Sequence, residues 1–161
     1  MLGLPDGVEF VRPTLEQIDE LWDRVRDHEA LFPQDYMRSR NQWIAVLMDP
    51  GTILLSFDGG VGIFTHAIHG LSTDIHLIVW DHKLSPRTIL FQDILVWAFL
   101  SFGFERIQCE LPSYSKALMR YIDKKLGFRY EGTKRCSVRH NGKVIDSMIY
   151  SLTKEDVNGT R

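Results

Sequence analysis

The sequence predicts an α+β domain of three layers, in which a mixed sheet of about seven strands is flanked by helices. Three features predict it: a meander of short strands between residues 52 and 80, a long apolar helix that leads into a strand at 105–111, and a helix followed by a β-hairpin in 125–152. Strands joined by short turns pair antiparallel, whereas a helical crossover joins parallel strands. The sheet is therefore expected to be mixed, within a single domain that spans 1–161.

The chain opens with a short strand and two helices. Residues 8–12 alternate apolar and polar side chains, as a strand does, and Pro13 ends the pattern. Thr14 is followed three residues later by Gln17, the pattern of a capping box, so a helix is expected to begin there. A second helix is predicted over 36–48 and stops before the next proline.

A meander and a long helix come next. The three strands are predicted over 52–57, 61–69 and 73–80, because short glycine-containing turns separate them. Ser85 is expected to cap the following helix and Pro86 to be its first residue, where the missing N–H of proline is not needed. This helix extends to about residue 102 and is apolar on most faces, as expected for a helix packed between a sheet and other elements.

The C-terminal part predicts a strand, a helix and a hairpin. The strand at 105–111 leads to a helix over 114–126, which ends at Gly127, a residue that adopts the left-handed cap conformation at little cost. The hairpin turns at Asn141-Gly142, a pair that favours positive φ at both central positions of a tight turn. The predicted element order is β-α-α-β-β-β-α-β-α-β-β.

Composition limits the classes of partner. The formal net charge is -2, so the chain lacks the basic character of a general nucleic-acid or anionic-membrane binder. The N-terminus has no signal-peptide pattern, and the most apolar run, 89–102, is too short to span a bilayer. Cys109 and Cys136 are expected to be reduced thiols. A cytoplasmic protein without nucleic-acid or membrane partners is predicted.

The C-terminal motifs resemble those of a known family. Leu126-Gly127-Phe128, Glu131-Gly132, the Asn141-Gly142 turn and the strand that ends in Tyr150-Ser151-Leu152 are similar to the C-terminal half of the GCN5-related N-acetyltransferases (GNAT superfamily). The branch that acetylates the N-termini of ribosomal proteins is the most similar. With the element order, the resemblance covers nearly the whole chain. It implies the GNAT fold and an acetyl-CoA-dependent N-acetyltransferase, in which a primary amine (a small molecule or a protein N-terminus) attacks the thioester directly in a ternary complex.

The resemblance also implies where the donor binds. In the family two adjacent parallel strands splay apart, which would leave main-chain groups of Ile78 and Val79 to bind the pantetheine arm. The pyrophosphate would lie at the N-terminus of the helix that follows. The family's loop at this point, Gln/Arg-x-x-Gly-x-Gly/Ala, is degenerate here, because no glycine occurs between Gly70 and Gly103.

Other side chains are candidates to compensate for the missing glycines. Lys83 and Arg87 would supply positive charge, and Ser85 and Thr88 would supply hydroxyl donors. Ser115 stands where the family often has a cofactor-binding asparagine. The alternative is that these residues form a solvated loop and a helix cap.

The resemblance implies a tyrosine that protonates the departing thiolate. Tyr121 follows Ala117 by four residues, as the family's tyrosine often does, although counting back from the glycine that ends the helix selects Asp123. Helical geometry places Tyr121 on the inward face and Asp123 on the outer one, so Tyr121 is the candidate acid. The alternative is a core tyrosine with a satisfied hydroxyl.

Three routes remain open for deprotonating the amine. Glu110 and His76 lie on the two strands that would splay, and relay through water is the third. No metal is predicted, because His66, His69, His76 and His82 lack ligand spacing with a cysteine or carboxylate set.

Two further alternatives concern partners. Phe32, Tyr36 and Trp43 could line an acceptor pocket, or could belong to the core or to a homodimer contact. The degenerate loop also leaves open a catalytically inactive GNAT-fold binding or assembly module that has lost acetyl-CoA binding.

Overall fold

The computed structural model describes residues 3–27, 35, 38–81 and 83–158, which contain one seven-stranded sheet of order β1-β2-β3-β4-β5-β7-β6. The strands are β1 Val8–Val11, β2 Ile53–Phe57, β3 Gly60–Ile68, β4 Ser72–Val79, β5 Arg106–Pro112, β6 Arg129–His140 and β7 Lys143–Thr153. The helices are α1 Leu15–Val25, α2 Arg40–Leu47, α3 Thr88–Phe102, α4 Lys116–Leu126 and α5 Lys154–Asn158.

The strand pairing confirms the mixed sheet. Strand β5 is parallel to β4, the strand that precedes it across helix α3. The other neighbouring pairs, β1 with β2, β2 with β3, β3 with β4, β5 with β7 and β6 with β7, are antiparallel. The predicted α+β architecture is therefore confirmed, as is the predicted element order through β7.

Each face of the sheet is covered by its own hydrophobic core. On one side, which we call the α3 face, α3 and α4 pack on the sheet, and Phe64, Phe91 and Ile107 are fully buried. On the opposite side, the α1 face, α1 and α2 pack over Leu54 and Ile63. A gap between two strands would thus open between two separate cores, and such a gap forms the site described below.

The local signals for helix and turn ends act as predicted. The Thr14 N–H donates to Gln17 Oε1 at 2.9 Å, and the Gln17 N–H donates to Thr14 Oγ1 at 3.3 Å, which completes the capping box. Gly127 has a φ of 77° at the end of α4. Asn141 and Gly142 have φ values of 50° and 74°, as a tight hairpin turn of this type requires.

The starts of α2 and α3 differ most from the prediction, and one short helix was not predicted. Helix α2 begins at Arg40 because the Ser39 side chain caps it. Ser85 is not the N-cap of α3: Ser85–Arg87 form a 3-10 turn, and α3 begins only at Thr88. The short helix α5 follows β7, and the sequence analysis missed it.

Candidate active site

Strands β4 and β5 pair over only three residues each. Ser72–Asp74 pair with Arg106–Gln108, and the two strands do not pair beyond that point. The last pair is closed by the Gln108 side chain, whose Nε2 donates to Asp74 Oδ1 at 2.6 Å. A cavity of about 890 Å³ follows the gap and is lined from both faces of the sheet. The predicted opening between these two strands is thus present.

The register of β3 decides which main-chain groups of β4 face the gap. The Trp80 N–H donates to the Gly59 carbonyl at 3.1 Å, and the β3 pairing continues back along β4. Because backbone groups of a strand point alternately to its two neighbours, Ile78 bonds towards β3, whereas Leu77 and Val79 face the gap. The prediction is therefore corrected for Ile78, which pairs with Val61, while Val79 stays a candidate and Leu77 joins it.

The loop before α3 contains a charge pair that the sequence analysis missed. Arg87 binds Asp81 in a bidentate fashion, with Nη1 donating to Oδ1 at 2.8 Å and Nη2 donating to Oδ2 at 3.0 Å. The pKa of Asp81 is lowered, chiefly by the hydrogen bonds from Arg87 and also by the N–H of Lys83. Arg87, which was predicted to supply positive charge to a pyrophosphate, is thus paired with Asp81, and its role in donor binding stays a prediction.

The other predicted donor-binding residues lie on the loop before α3, at the start of α3 and at the start of α4. Lys83 and Ser85 are exposed on the loop, and Ser115 lines the cavity at the start of α4. The Thr88 hydroxyl donates to the Ser85 carbonyl at 2.9 Å. Ser115 lines the cavity, whereas Lys83, Ser85 and Thr88 are not among its lining residues, and the role of all four in donor binding stays a prediction.

Tyr121, on α4, connects this helix to the loop before α3. Its hydroxyl donates to the Leu84 carbonyl at 3.1 Å and lies 3.0 Å from Thr88 Oγ1. The side chain is half-buried and lines the cavity on the α3 face. Desolvation raises the pKa of Tyr121, so the phenol stays protonated at neutral pH, as a proton donor must.

His76 and Glu110 stand across the gap from each other. Each lies two residues beyond the last pair of its strand, Asp74–Gln108, so both side chains are on the α1 face and line the cavity. Ser147 Oγ donates to Glu110 Oε1, and Lys134 Nζ donates to Glu110 Oε2 at 2.7 Å. Both carboxylate oxygens of Glu110 are therefore engaged.

His76 is in a different electrostatic situation. Its ring is exposed to the cavity, although the residue lies deep in the protein, and Thr65 Oγ1 is 3.3 Å from its Nε2. Desolvation is the main cause that lowers the pKa of His76. The imidazole is thus neutral at neutral pH and able to accept a proton.

A hydrogen-bonded network of polar side chains lies beside the gap on the α1 face. His66, at a bulge in β3 with a φ of 51°, has its Nδ1 2.9 Å from Asp74 Oδ2. Gln108 connects Asp74 to Arg106, whose Nη1 donates to Glu131 Oε1 at 2.5 Å. No pattern in the sequence predicts this hydrogen-bonded network, because its members come from four strands.

Glu131 makes the stability contributed by this network dependent on acid pH. The hydrogen bond from Arg106, followed by that from Ser151, lowers the pKa of Glu131 from its ordinary 4.5 to about 2. Because the folded-state pKa is depressed, this contribution to stability is complete above pH 4.5 and is lost as the pH falls towards 2. The Glu131 side chain is 39% exposed, so we expect about 1 kcal/mol after solvent screening.

Glu131→Gln is therefore expected to flatten the acid side of the stability profile. The urea unfolding free energy of the native protein should fall between pH 5 and pH 3 by about 1 kcal/mol more than that of the variant. Glu20→Gln, on the exposed face of α1, is the matched control. Parallel profiles of the native protein and Glu131→Gln would contradict the assignment.

The remaining sequence candidates are placed as follows. Trp43 lines the α1-face part of the cavity, whereas Phe32, Tyr36 and His82 lie outside the described residues. Burial raises the pKa of the Cys109 thiol to about 12, which keeps it protonated. The part of the chain that the structure describes contains no group of three or more His, Cys, Asp or Glu side chains that could hold a metal ion.

Within the same described ranges, no helix combines the length and apolar character that crossing a membrane requires.

Comparison with solved structures identifies the fold. A chimera of the spermidine N-acetyltransferase SpeG from Vibrio cholerae and hSSAT matches with a TM-score of 0.75 and 12% identity over 97% of this chain and 100% of the other. The microcin C7 self immunity acetyltransferase MccE, in complex with acetyl-CoA and AMP, matches with a TM-score of 0.69 and 15% identity over 92% and 93%. A GNAT family acetyltransferase from Bacillus anthracis matches with a TM-score of 0.63 and 15% identity over 93% and 96%.

No protein-family model and no curated protein sequence matches the chain. The structural likeness shows the fold, that of the GNAT acyl-CoA N-acyltransferases.

Proposed function

We propose that the protein is an N-acyltransferase that moves an acetyl group from acetyl-CoA to a primary amine. The observation that carries the proposal is the end of β4–β5 pairing at Asp74 and Gln108, with a cavity through the gap. A proton donor, Tyr121, lies on the α3 face of this cavity. Two candidate bases lie on the α1 face.

The residues that line the gap suit the pantetheine arm of such a donor. Leu77 and Val79 offer main-chain groups that β5 does not pair, and an amide-containing chain could bond to them as a further strand would. Leu84, Leu118 and Ile122 add apolar surface on the α3 face. At the nucleotide end, Lys83, Ser85 and Ser115 remain as candidate polar contacts.

The two faces would divide the chemistry between them. The amine nitrogen attacks the thioester carbonyl, the C–N bond forms, the C–S bond breaks, and the thiolate needs a proton. Tyr121 supplies that proton, and the Thr88 hydroxyl, 3.0 Å away, can turn from the Ser85 carbonyl to donate to the resulting phenolate. His76 is the better placed base, because it is neutral and open to the cavity, whereas Glu110 is held by Lys134 and Ser147.

The acceptor is a small amine or a protein N-terminus. Its side of the cavity contains Trp43, Asp49 and Thr65 in addition to the candidate bases. Both cysteines are free, which supports a reducing compartment such as the cytoplasm.

A second candidate function is supported by the loop before α3. Arg87 is already paired with Asp81, and the loop lacks the glycines that bring backbone close to a phosphate. Both features favour a GNAT-fold binding or assembly module without acetyl-CoA.

Calorimetric titration with acetyl-CoA, CoA and a long-chain acyl-CoA separates the two functions. Micromolar binding of acetyl-CoA is expected for the enzyme, and a screen of amines would then follow. A folded protein that binds none of the three ligands would favour the binding module. Thermal unfolding of the same sample provides the control for folding.

A further inference from the structure

In the loop before α3, the Asp81 carboxylate is bound by a backbone N–H and by the Arg87 guanidinium. Asp81 Oδ1 accepts hydrogen bonds from the Lys83 N–H at 3.0 Å and from Arg87 Nη1 at 2.8 Å. The second carboxylate oxygen accepts from Arg87 Nη2 at 3.0 Å. A backbone N–H and a guanidinium are the donors that a phosphate group would use, and Asp81 occupies both.

Arg87 is also held in place by the surrounding backbone. Its Nε donates to the Asp58 carbonyl at 3.2 Å, and its Nη1 donates to the Lys83 carbonyl at 2.8 Å. The guanidinium lies against Gly59, where an added Cβ would come within 2.3 Å of Nη2. The side chain is only 15% exposed. Arg87 is therefore a tether between the β2–β3 turn and the loop, and its charge is cancelled where the nucleotide end of a donor would arrive.

We propose that Asp81 makes donor recognition independent of the nucleotide, so that the protein selects acyl thioesters by their pantetheine arm. This inference rests on the proposed function and specifies its donor class. The gap offers main-chain groups and apolar surface to the arm. At the loop, Asp81 cancels the charge of Arg87, and Lys83 and Ser85 would meet a diphosphate only from exposed positions, where solvent screens their contribution. Acyl thioesters of pantetheine and of 4′-phosphopantetheine, including the form attached to a carrier protein, would therefore bind with an affinity similar to that of acetyl-CoA.

A series of donor fragments tests the proposal on the native protein. Calorimetry with CoA, 4′-phosphopantetheine and pantetheine is expected to give dissociation constants within about threefold of one another. Adenosine 3′,5′-bisphosphate alone is expected not to compete with pantetheine. CoA binding more than tenfold tighter than pantetheine would overturn the proposal, because the nucleotide would then contribute to recognition.

Asp81→Asn provides a second test. Loss of the carboxylate leaves the tethered Arg87 guanidinium without a counter-charge, so the affinity for CoA relative to pantetheine is expected to rise about tenfold. Asp58→Asn is the matched control, because it removes an exposed carboxylate beside the same arginine, whose contact there is to the Asp58 main chain. An unchanged CoA-to-pantetheine ratio in a folded Asp81→Asn protein would contradict the role of Asp81.

The outcomes distinguish this inference from the proposed function. A native protein that binds neither CoA nor pantetheine would overturn both the proposed function and the inference about the donor. A native protein that binds CoA strongly and pantetheine weakly keeps the proposed function and overturns only the inference about the donor. The native series decides the matter even where Asp81→Asn fails to fold.

Discussion

Tyr121→Phe is expected to lower kcat about 100-fold while the dissociation constant of the donor changes by less than about threefold. In the proposed mechanism the phenol is the proton donor of the α3 face, and its raised pKa keeps it protonated over the neutral range. The ring remains in place in the variant, so the apolar wall of the cavity is preserved. The measurement is steady-state kinetics with the amine found in the acceptor screen, together with calorimetry of donor binding.

A stability effect must be separated from this loss of turnover. The variant also removes the donor to the Leu84 carbonyl, which is worth about 1 kcal/mol. Tyr130→Phe is the matched control, since it deletes a phenolic hydroxyl that contacts Thr133 on the hairpin, away from the cavity. Full turnover in Tyr121→Phe would leave Tyr121 only its structural bridge between α4 and the loop.

Gly60→Ala is expected to destabilise the protein by about 3 kcal/mol. A Cβ at this position would lie 2.5 Å from the Ile78 carbonyl oxygen and 2.5 Å from the ring of Phe57. The carbonyl belongs to β4 and cannot retreat without disturbing the pairing of β3 with β4. A fall of roughly 6–12 °C in Tm is expected for a domain of this size, measurable by calorimetric or spectroscopic melting.

Gly62→Ala is the matched substitution in the same strand. Its Cβ would meet the Leu77 side chain at 3.5 Å, an ordinary contact, so no clash arises. We expect a change within about 1 kcal/mol, in the stabilising direction if unfolded-chain entropy dominates. Equal melting temperatures for the two variants would show that β4 shifts to accommodate the added methyl group.

The sequence alone predicted those features that depend on neighbouring residues. The capping box at Thr14, the left-handed cap at Gly127 and the Asn141-Gly142 turn all form as expected, since each involves residues within six positions of one another. Alternation and helical spacing likewise placed the strands and helices, and the long helical connection predicted the parallel pair β4–β5.

The same local reasoning was wrong at the start of α3. The Ser85-Pro86 pair has the chemistry of a helix N-terminus, but it forms a 3-10 turn instead. The following residue, Arg87, is drawn to Asp81 and to the carbonyl of Asp58, which lies in another turn. A capping pattern considers only residues a few positions apart, so it cannot predict a contact with a partner 29 residues away.

Contacts between distant segments decided the functional geometry. The sequence by itself determined the fold class, the gap between β4 and β5, and Tyr121, His76 and Glu110 as candidates, because these follow from element order and the resemblance it supports. Only the tertiary structure decided that the main-chain groups of Leu77, and not those of Ile78, face the gap. It also decided that Asp81 neutralises Arg87 and that Lys134 and Ser147 bind the Glu110 carboxylate. The physical reason is that backbone direction and charge pairing depend on the register of neighbouring strands and on residues far apart in the chain.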